Sequence, residues 1–225
     1  MEQIGTHQLY QPAPGMKLHH IESSLMFVNT FILIDEASGE CAVIDPGFSN
    51  AALFEYLQAE PLKVKYIIAT HGHGDHVALM GSVKEQFGGD ICIHAGDANV
   101  LEKAAERGIM RAMQMEFAQV AAPDIILQDG DKLQVGSLTL DILHTPGHSP
   151  GGICIKASPY LITGDTLFWN DVGRTDFQGG SPELLRHSIS VVLGSLEEDL
   201  QVLPGHEGFT TLDNEKANNN WFKPV

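Results

Sequence analysis

The segment His71-Gly72-His73-Gly74-Asp75-His76 places four ligand-type side chains within six residues. In an extended chain, residues two apart face the same side, so His71 and His73 can approach one ion together. Glycine at 72 and 74 lets the backbone turn tightly enough to aim Asp75 and His76 at a second point nearby. Imidazole nitrogens suit zinc, iron and copper, while carboxylate oxygens add charge balance. Three further residues lie where apolar runs give way to glycine or proline: His148 in Thr-Pro-Gly-His-Ser, Asp165 after Leu-Ile-Thr-Gly, and His206 in Leu-Pro-Gly-His. Such strand ends are where a preorganised rim site takes its ligands. Alone, each of the three is more often a capping or loop residue than a ligand; beside the hexapeptide they complete a set of seven candidate ligands.

The elements that must position this set are legible from punctuation and period. Met26 to Ile34 and Cys41 to Ile44 read as strands joined by a hairpin, and Asp45-Pro46-Gly47 ends the second. Ser49 or Asn50 caps a helix to about Gln58, and Val64 to Ala69 is a buried strand leading into the histidine cluster. A helix is expected from near His76 to Gly88-Gly89, then a strand at Ile91 to His94 and a helix capped by Asp97. Strands follow at Lys132 to Val135, Leu138 to Leu143, Gly152 to Ile155 and Tyr160 to Thr163. Ser181-Pro182-Glu183 starts a helix to about Leu193, and Leu200 to Leu203 is the last strand. His7, His19 and His20 fall in a stretch read as irregular, and Arg107 to Ala122 is open between helix and cover. Two β-then-α halves predict an α/β fold, an αββα sandwich, with residues 1–225 as one domain.

With 29 acidic residues against 13 Lys plus Arg, the net charge is −16, which repels nucleic acid and acidic membrane surfaces. Two dications in a cleft would reverse the sign locally, so the balance constrains the surface and not the site. No apolar run approaches the roughly 20 residues of a spanning helix, and the opening Met-Glu-Gln-Ile-Gly-Thr-His lacks the form of a signal peptide. Cys41, Cys92 and Cys154 each sit in an apolar stretch and read as reduced thiols buried in strands, which favours a cytoplasmic protein.

The hexapeptide, followed by Gly147-His148, Gly164-Asp165 and Gly205-His206, resembles the metallo-β-lactamase superfamily over about Asp45 to His206. The resemblance implies the αββα fold, one metal at His71, His73 and His148, a second at Asp75, His76 and His206, and Asp165 bridging both. It also implies that Asp45 supports the ligands from behind. Gly164-Asp165-Thr166-Leu167-Phe168 with Gly173-Arg174-Thr175-Asp176-Phe177 is similar to the single-domain glyoxalase II-like thioesterases. Many true β-lactamases would have cysteine where Asp165 stands, and flavodiiron proteins glutamate where His73 stands. Full-length glyoxalase II adds a helical domain for glutathione, for which the run after His206 is too short.

What the resemblance implies is a hydrolase with two divalent ions, zinc foremost and iron or manganese as alternatives, acting on a small thioester such as S-lactoylglutathione. Water activated by the ions would attack the carbonyl, oriented by Asp75 or Asp165 as the catalytic carboxylates. Arg174 and Asp176 would pair and order the loop beside the site, and Phe168, Trp169 and Phe177 would line the cleft. The rival is a persulfide dioxygenase with one iron at His71, His148 and Asp165; a non-catalytic metal-binding module is the third reading.

Overall fold

Alternation along the strands decides the layers. In the computed structural model, which describes residues 13–48, 50–99 and 122–223, β2 (Asn29–Asp35) is buried on both faces. Phe31 and Leu33 point into one core, while Ile32 and Ile34 point into another. β2 pairs with β1 (Met16–Glu22) and with β3 (Glu40–Ile44), and β4 (Lys63–Ile68), β5 (Asp90–His94) and β6 (Ile125–Leu127) extend the sheet in that order. From β3 to β6 the pairing is parallel. The second sheet holds β7 (Lys132–Val135), β8 (Leu138–His144), β9 (Ile153–Ala157), β10 (Tyr160–Gly164), β11 (Gln201–Pro204) and β12 (Thr210–Thr211), each beside the next.

One core lies between the sheets, with Phe31, Leu33 and Ile68 packed against Leu140, Ile142 and Ile162. A second joins the first sheet to α1 (Ala51–Ala59) and α3 (Met80–Phe87) through Leu53, Leu57, Met80 and Val83. The third joins the second sheet to α5 (Leu212–Asn218) and its flanks through Leu161, Val202, Leu193 and Leu212. The short α4 (Pro182–His187) precedes α5 in the chain. Helix, sheet, sheet, helix is the expected sandwich. Asp35 latches the two sheets: its carboxylate accepts from Ser137 Oγ and from Ser38 Oγ, each at 2.6 Å. Those bonds hold its pKa well below the usual carboxylate range.

Several expectations need correction. His19 and His20 lie in β1, where His19 stacks on Tyr56 at 3.8 Å and His20 meets Asn29 Oδ1 at 2.7 Å. Two imidazoles in succession hid the inward pair Met16 and Leu18. The helix expected from His76 breaks in two, α2 (Gly74–Val77) and α3, where the Leu79 amide donates to the Pro46 carbonyl. Asn50 caps α1 as read, and Ser181 caps α4, but α4 passes at Ser188–Val192 into a π turn. Beyond Leu203, β12 and α5 were not anticipated, since a two-residue strand has no period to read. Most of the helix expected after Asp97, and nearly all of 107–122, lie outside the described residues. Cys41, Cys92 and Cys154 are buried free thiols in β3, β5 and β9, and burial pushes each up to about 12. Among the described residues no helix is long and apolar enough to cross a membrane.

Candidate metal centre

Five strand ends deliver the site. Asp45 follows β3, the run from Thr70 to His76 follows β4, His148 follows β8, Asp165 follows β10, and His206 follows β11. All seven residues singled out from the sequence converge. His73 Nδ1 lies 3.0 Å from His71 Nε2 and 2.8 Å from His148 Nε2, while His76 Nε2 lies 3.2 Å from His206 Nε2. Asp75 Oδ2 stands 3.6 Å from His206 Nε2 and 3.8 Å from His76 Nε2. Asp165 lies between the groups, with Oδ1 3.4 Å from His76 Nε2 and Oδ2 3.4 Å from His148 Nε2. The ligand atoms of His71, His73 and His148, of His71, His76 and Asp165, and of Asp75, His76 and His206 each fall within 4.8 Å of one another. A β-carbon at Gly205 would stand 2.5 Å from Asp165 Oδ1, which is why the His206 turn needs glycine there.

The outward ring nitrogens decide what faces inward. His148 Nδ1 meets the Arg174 carbonyl at 2.7 Å and His206 Nδ1 the Met26 carbonyl at 3.0 Å, so both Nδ1 atoms donate. His76 Nδ1 donates to Asp45 Oδ2 at 3.0 Å. Thr70 Oγ1 gives its proton to Asp45 Oδ2 at 2.6 Å and so accepts from His71 Nδ1 at 3.2 Å. In the neutral rings each inward Nε2 is therefore a lone pair, and four lone pairs face one another and two carboxylates. Asp165 Oδ1 is buried with no hydrogen-bond partner. Such crowding is costly without a shared electrophile. The donor set fits two divalent cations.

Protonation follows the same geometry. Burial holds His71 well below its ordinary 6.5, and burial together with His148 lowers His73. Burial would raise Asp75, but His76 and His206 outweigh it and leave it lowered. Burial pulls His76 down too, yet Asp165, Asp45 and Asp75 carry it to about 10. In the metal-free chain His76 is thus a buried cation, a stabilising state that is complete below 6.5 and lost as the pH rises toward about 10. Metal ligation requires the neutral ring. Zinc uptake by the metal-free protein is expected to release about one proton per chain from His76 near neutral pH, and affinity to weaken on acidification. Calorimetry in two buffers of different ionisation heat measures this, and uptake without proton release would refute it.

The centre opens into a cleft of about 1060 Å³. Phe168 and Phe177 line it, as expected; Trp169 does not. Phe177 sits edge-on to His73, with ring centroids 5.0 Å apart, and is 42% exposed. Arg174 pairs with Asp176 at 2.9 and 2.7 Å and lies over Phe177, but the pair is exposed, so what this loop gives the site is the Arg174 carbonyl. Across the centre, Met26 and Phe27 both adopt left-handed backbone, with φ of 63° and 54°. This turn aims the Met26 carbonyl at His206 and leaves Phe27 64% exposed. Replacing Phe27 with glycine should relieve strain and stabilise the fold by roughly 0.5–1 kcal/mol in chemical denaturation; a loss would show that the Phe27 side chain supports the turn.

Sequence reading missed Thr70, which relays Asp45 to His71, and it placed Asp97 only as a helix cap. A family signal pointed to Asp45; nothing local distinguished the other two.

Residues 25–206 match the model of the metallo-beta-lactamase superfamily, and the chain belongs to that family. Hydroxyacylglutathione hydrolase GloC of Haemophilus influenzae is 34% identical over 193 residues, 83% of this chain and 89% of that protein. Among solved structures, the B3 metallo-beta-lactamase BLEG-1 superposes with a TM-score of 0.83 at 30% identity, over 92% of this chain and all (100%) of BLEG-1. TTHA1623 in a di-iron-bound form superposes at 0.78 with 28% identity, over 90% of this chain and 99% of that one. A protein described as a β-lactamase thus stands among the similar structures, a branch against which Asp165 argues in the sequence.

Proposed function

We propose that this chain hydrolyses a small-molecule thioester at a centre of two divalent ions. His71, His73 and His148 would hold the first, Asp75, His76 and His206 the second, and Asp165 would touch both. The observation that carries this reading is the convergence of inward lone pairs and carboxylates on one point of an open cleft. Bound dications lower the pKa of water toward about 7 and polarise a carbonyl oxygen. The chain's own part is to fix the rings through Asp45, Thr70, Met26 and Arg174, to present Asp75 and Asp165 where an attacking water is oriented, and to seat the substrate beside Phe168 and Phe177. The similarity to hydroxyacylglutathione hydrolase GloC supports a hydroxyacyl thioester such as S-lactoylglutathione. Zinc fits the nitrogen-rich set, and the similar di-iron structure makes iron the alternative metal. Buried reduced thiols fit a cytoplasmic setting.

The test is metal analysis of anaerobically purified protein with a substrate panel. Two metals per chain, anaerobic thioester cleavage, loss on chelation and metal-specific recovery are the expected results. One iron with oxygen consumption on a persulfide would instead establish the dioxygenase, and cleavage of a β-lactam in place of the thioester would establish the lactamase. Metal binding with no turnover of any of these would leave a non-catalytic module.

A further inference from the structure

Asp97 is 1% exposed, and among the described residues no cation bonds to it. Its Oδ2 accepts from the Gly72 amide at 2.9 Å and from Ser149 Oγ at 2.7 Å, and its Oδ1 accepts from the Gly151 amide at 2.8 Å. Gly72 lies between His71 and His73; Ser149 follows His148 directly. The three side chains assigned to the first ion therefore come from two loops on two different sheets, and one carboxylate joins those loops. The packing leaves no slack: a β-carbon at Gly151 would stand 2.5 Å from the Asp97 amide nitrogen, and one at Gly96 would stand 2.5 Å from the Pro150 carbonyl oxygen. The Asp97 amide in turn donates to the His94 carbonyl at 3.0 Å, which ties the carboxylate to the end of β5.

We infer that Asp97 is a positioning residue that sets the separation of His71 and His73 from His148, and with it the affinity of the first metal site. It mirrors Asp45, which supports His76 and Thr70 from the end of β3. The inference rests on the metal centre proposed above. A carboxylate that only tied loops together would influence melting and not ion affinity. One that sets ligand spacing changes ion affinity even where the fold survives, since partners behind the ligands are typically worth about 10–100-fold in metal binding.

The experiment titrates zinc and cobalt(II) into metal-free wild type, Asp97→Asn and Ser149→Ala against a competing chelator, with melting followed in chelator alone. Asparagine keeps the shape but sets an amide NH2 against at least one of the three donors, so Asp97→Asn should weaken the tighter site about 10–100-fold and alter the cobalt absorption of a three-histidine site. Ser149→Ala removes one bond of three and should move affinity the same way by less, and it decides the matter if Asp97→Asn does not fold. Unchanged affinity and cobalt spectrum in Ser149→Ala and in any folded Asp97→Asn, with melting lowered, overturns the assignment. Wild type that takes up neither metal refutes the metal centre itself, a result distinct from intact wild-type binding with unaffected variants.

Discussion

Asp165→Asn is expected to lower thioester turnover about a thousandfold and to reduce bound metal from two ions per chain toward one. Asp165 is the only one of the seven whose two oxygens face both groups, at 3.4 Å from His76 and 3.4 Å from His148. Asparagine preserves volume and removes the charge that would hold two dications close together. Losing one ion's Lewis-acid contribution, several kcal/mol, corresponds to roughly three decades in rate. The metal-free variant carries a second signature. Asp165 is the foremost carboxylate raising His76, so proton release on zinc uptake should fall. Single-turnover kinetics, elemental analysis and two-buffer calorimetry read these together. Full turnover with two ions bound would remove Asp165 from the centre.

Asp45→Ala should be the most damaging change behind the ligands. Asp45 is 1% exposed and accepts from the Thr70 amide at 2.7 Å, Thr70 Oγ1 at 2.6 Å and His76 Nδ1 at 3.0 Å. Its truncation strands a buried amide, a hydroxyl and a histidine that burial alone would deprotonate. Leaving such groups unpaired costs about 3 kcal/mol or more of fold stability, and affinity at the second site should fall about 10–100-fold. Asp45 also sits at φ 49°, a left-handed position that asparagine tolerates, so Asp45→Asn separates the backbone from the charge. Asparagine should fold better than alanine yet still lose affinity, because its amide cannot accept from all three donors. Denaturation in chelator and zinc competition measure the two effects. Wild-type affinity in both variants would show that His76 is held by other contacts.

How far the sequence was readable depended on the range of each interaction. The central strands were legible because β2, β3, β5, β9, β10 and β11 carry apolar runs buried on both faces and β8 alternates, signals that are local. β1 was not, because His19 and His20 put one half-buried imidazole on each face of the strand, and their partners Tyr56 and Asn29 lie elsewhere in the chain. The break between α2 and α3 coincides with a tertiary bond from Leu79 to Pro46, and the π turn after α4 with one from Ser188 Oγ to the Pro146 carbonyl.

The sequence by itself determined the ligand types, their spacing and their places at strand ends, because glycine, proline and the apolar periods are set by neighbours along the chain. The tertiary structure alone decided which nitrogen of each imidazole faces inward, since that depends on carbonyls at Met26 and Arg174, 180 and 26 residues from the rings they orient. It also decided the role of Asp97, whose partners Gly72 and Gly151 lie 25 and 54 residues away. Hydrogen bonds of that reach leave no pattern along the chain, and they exist only once both sheets have packed.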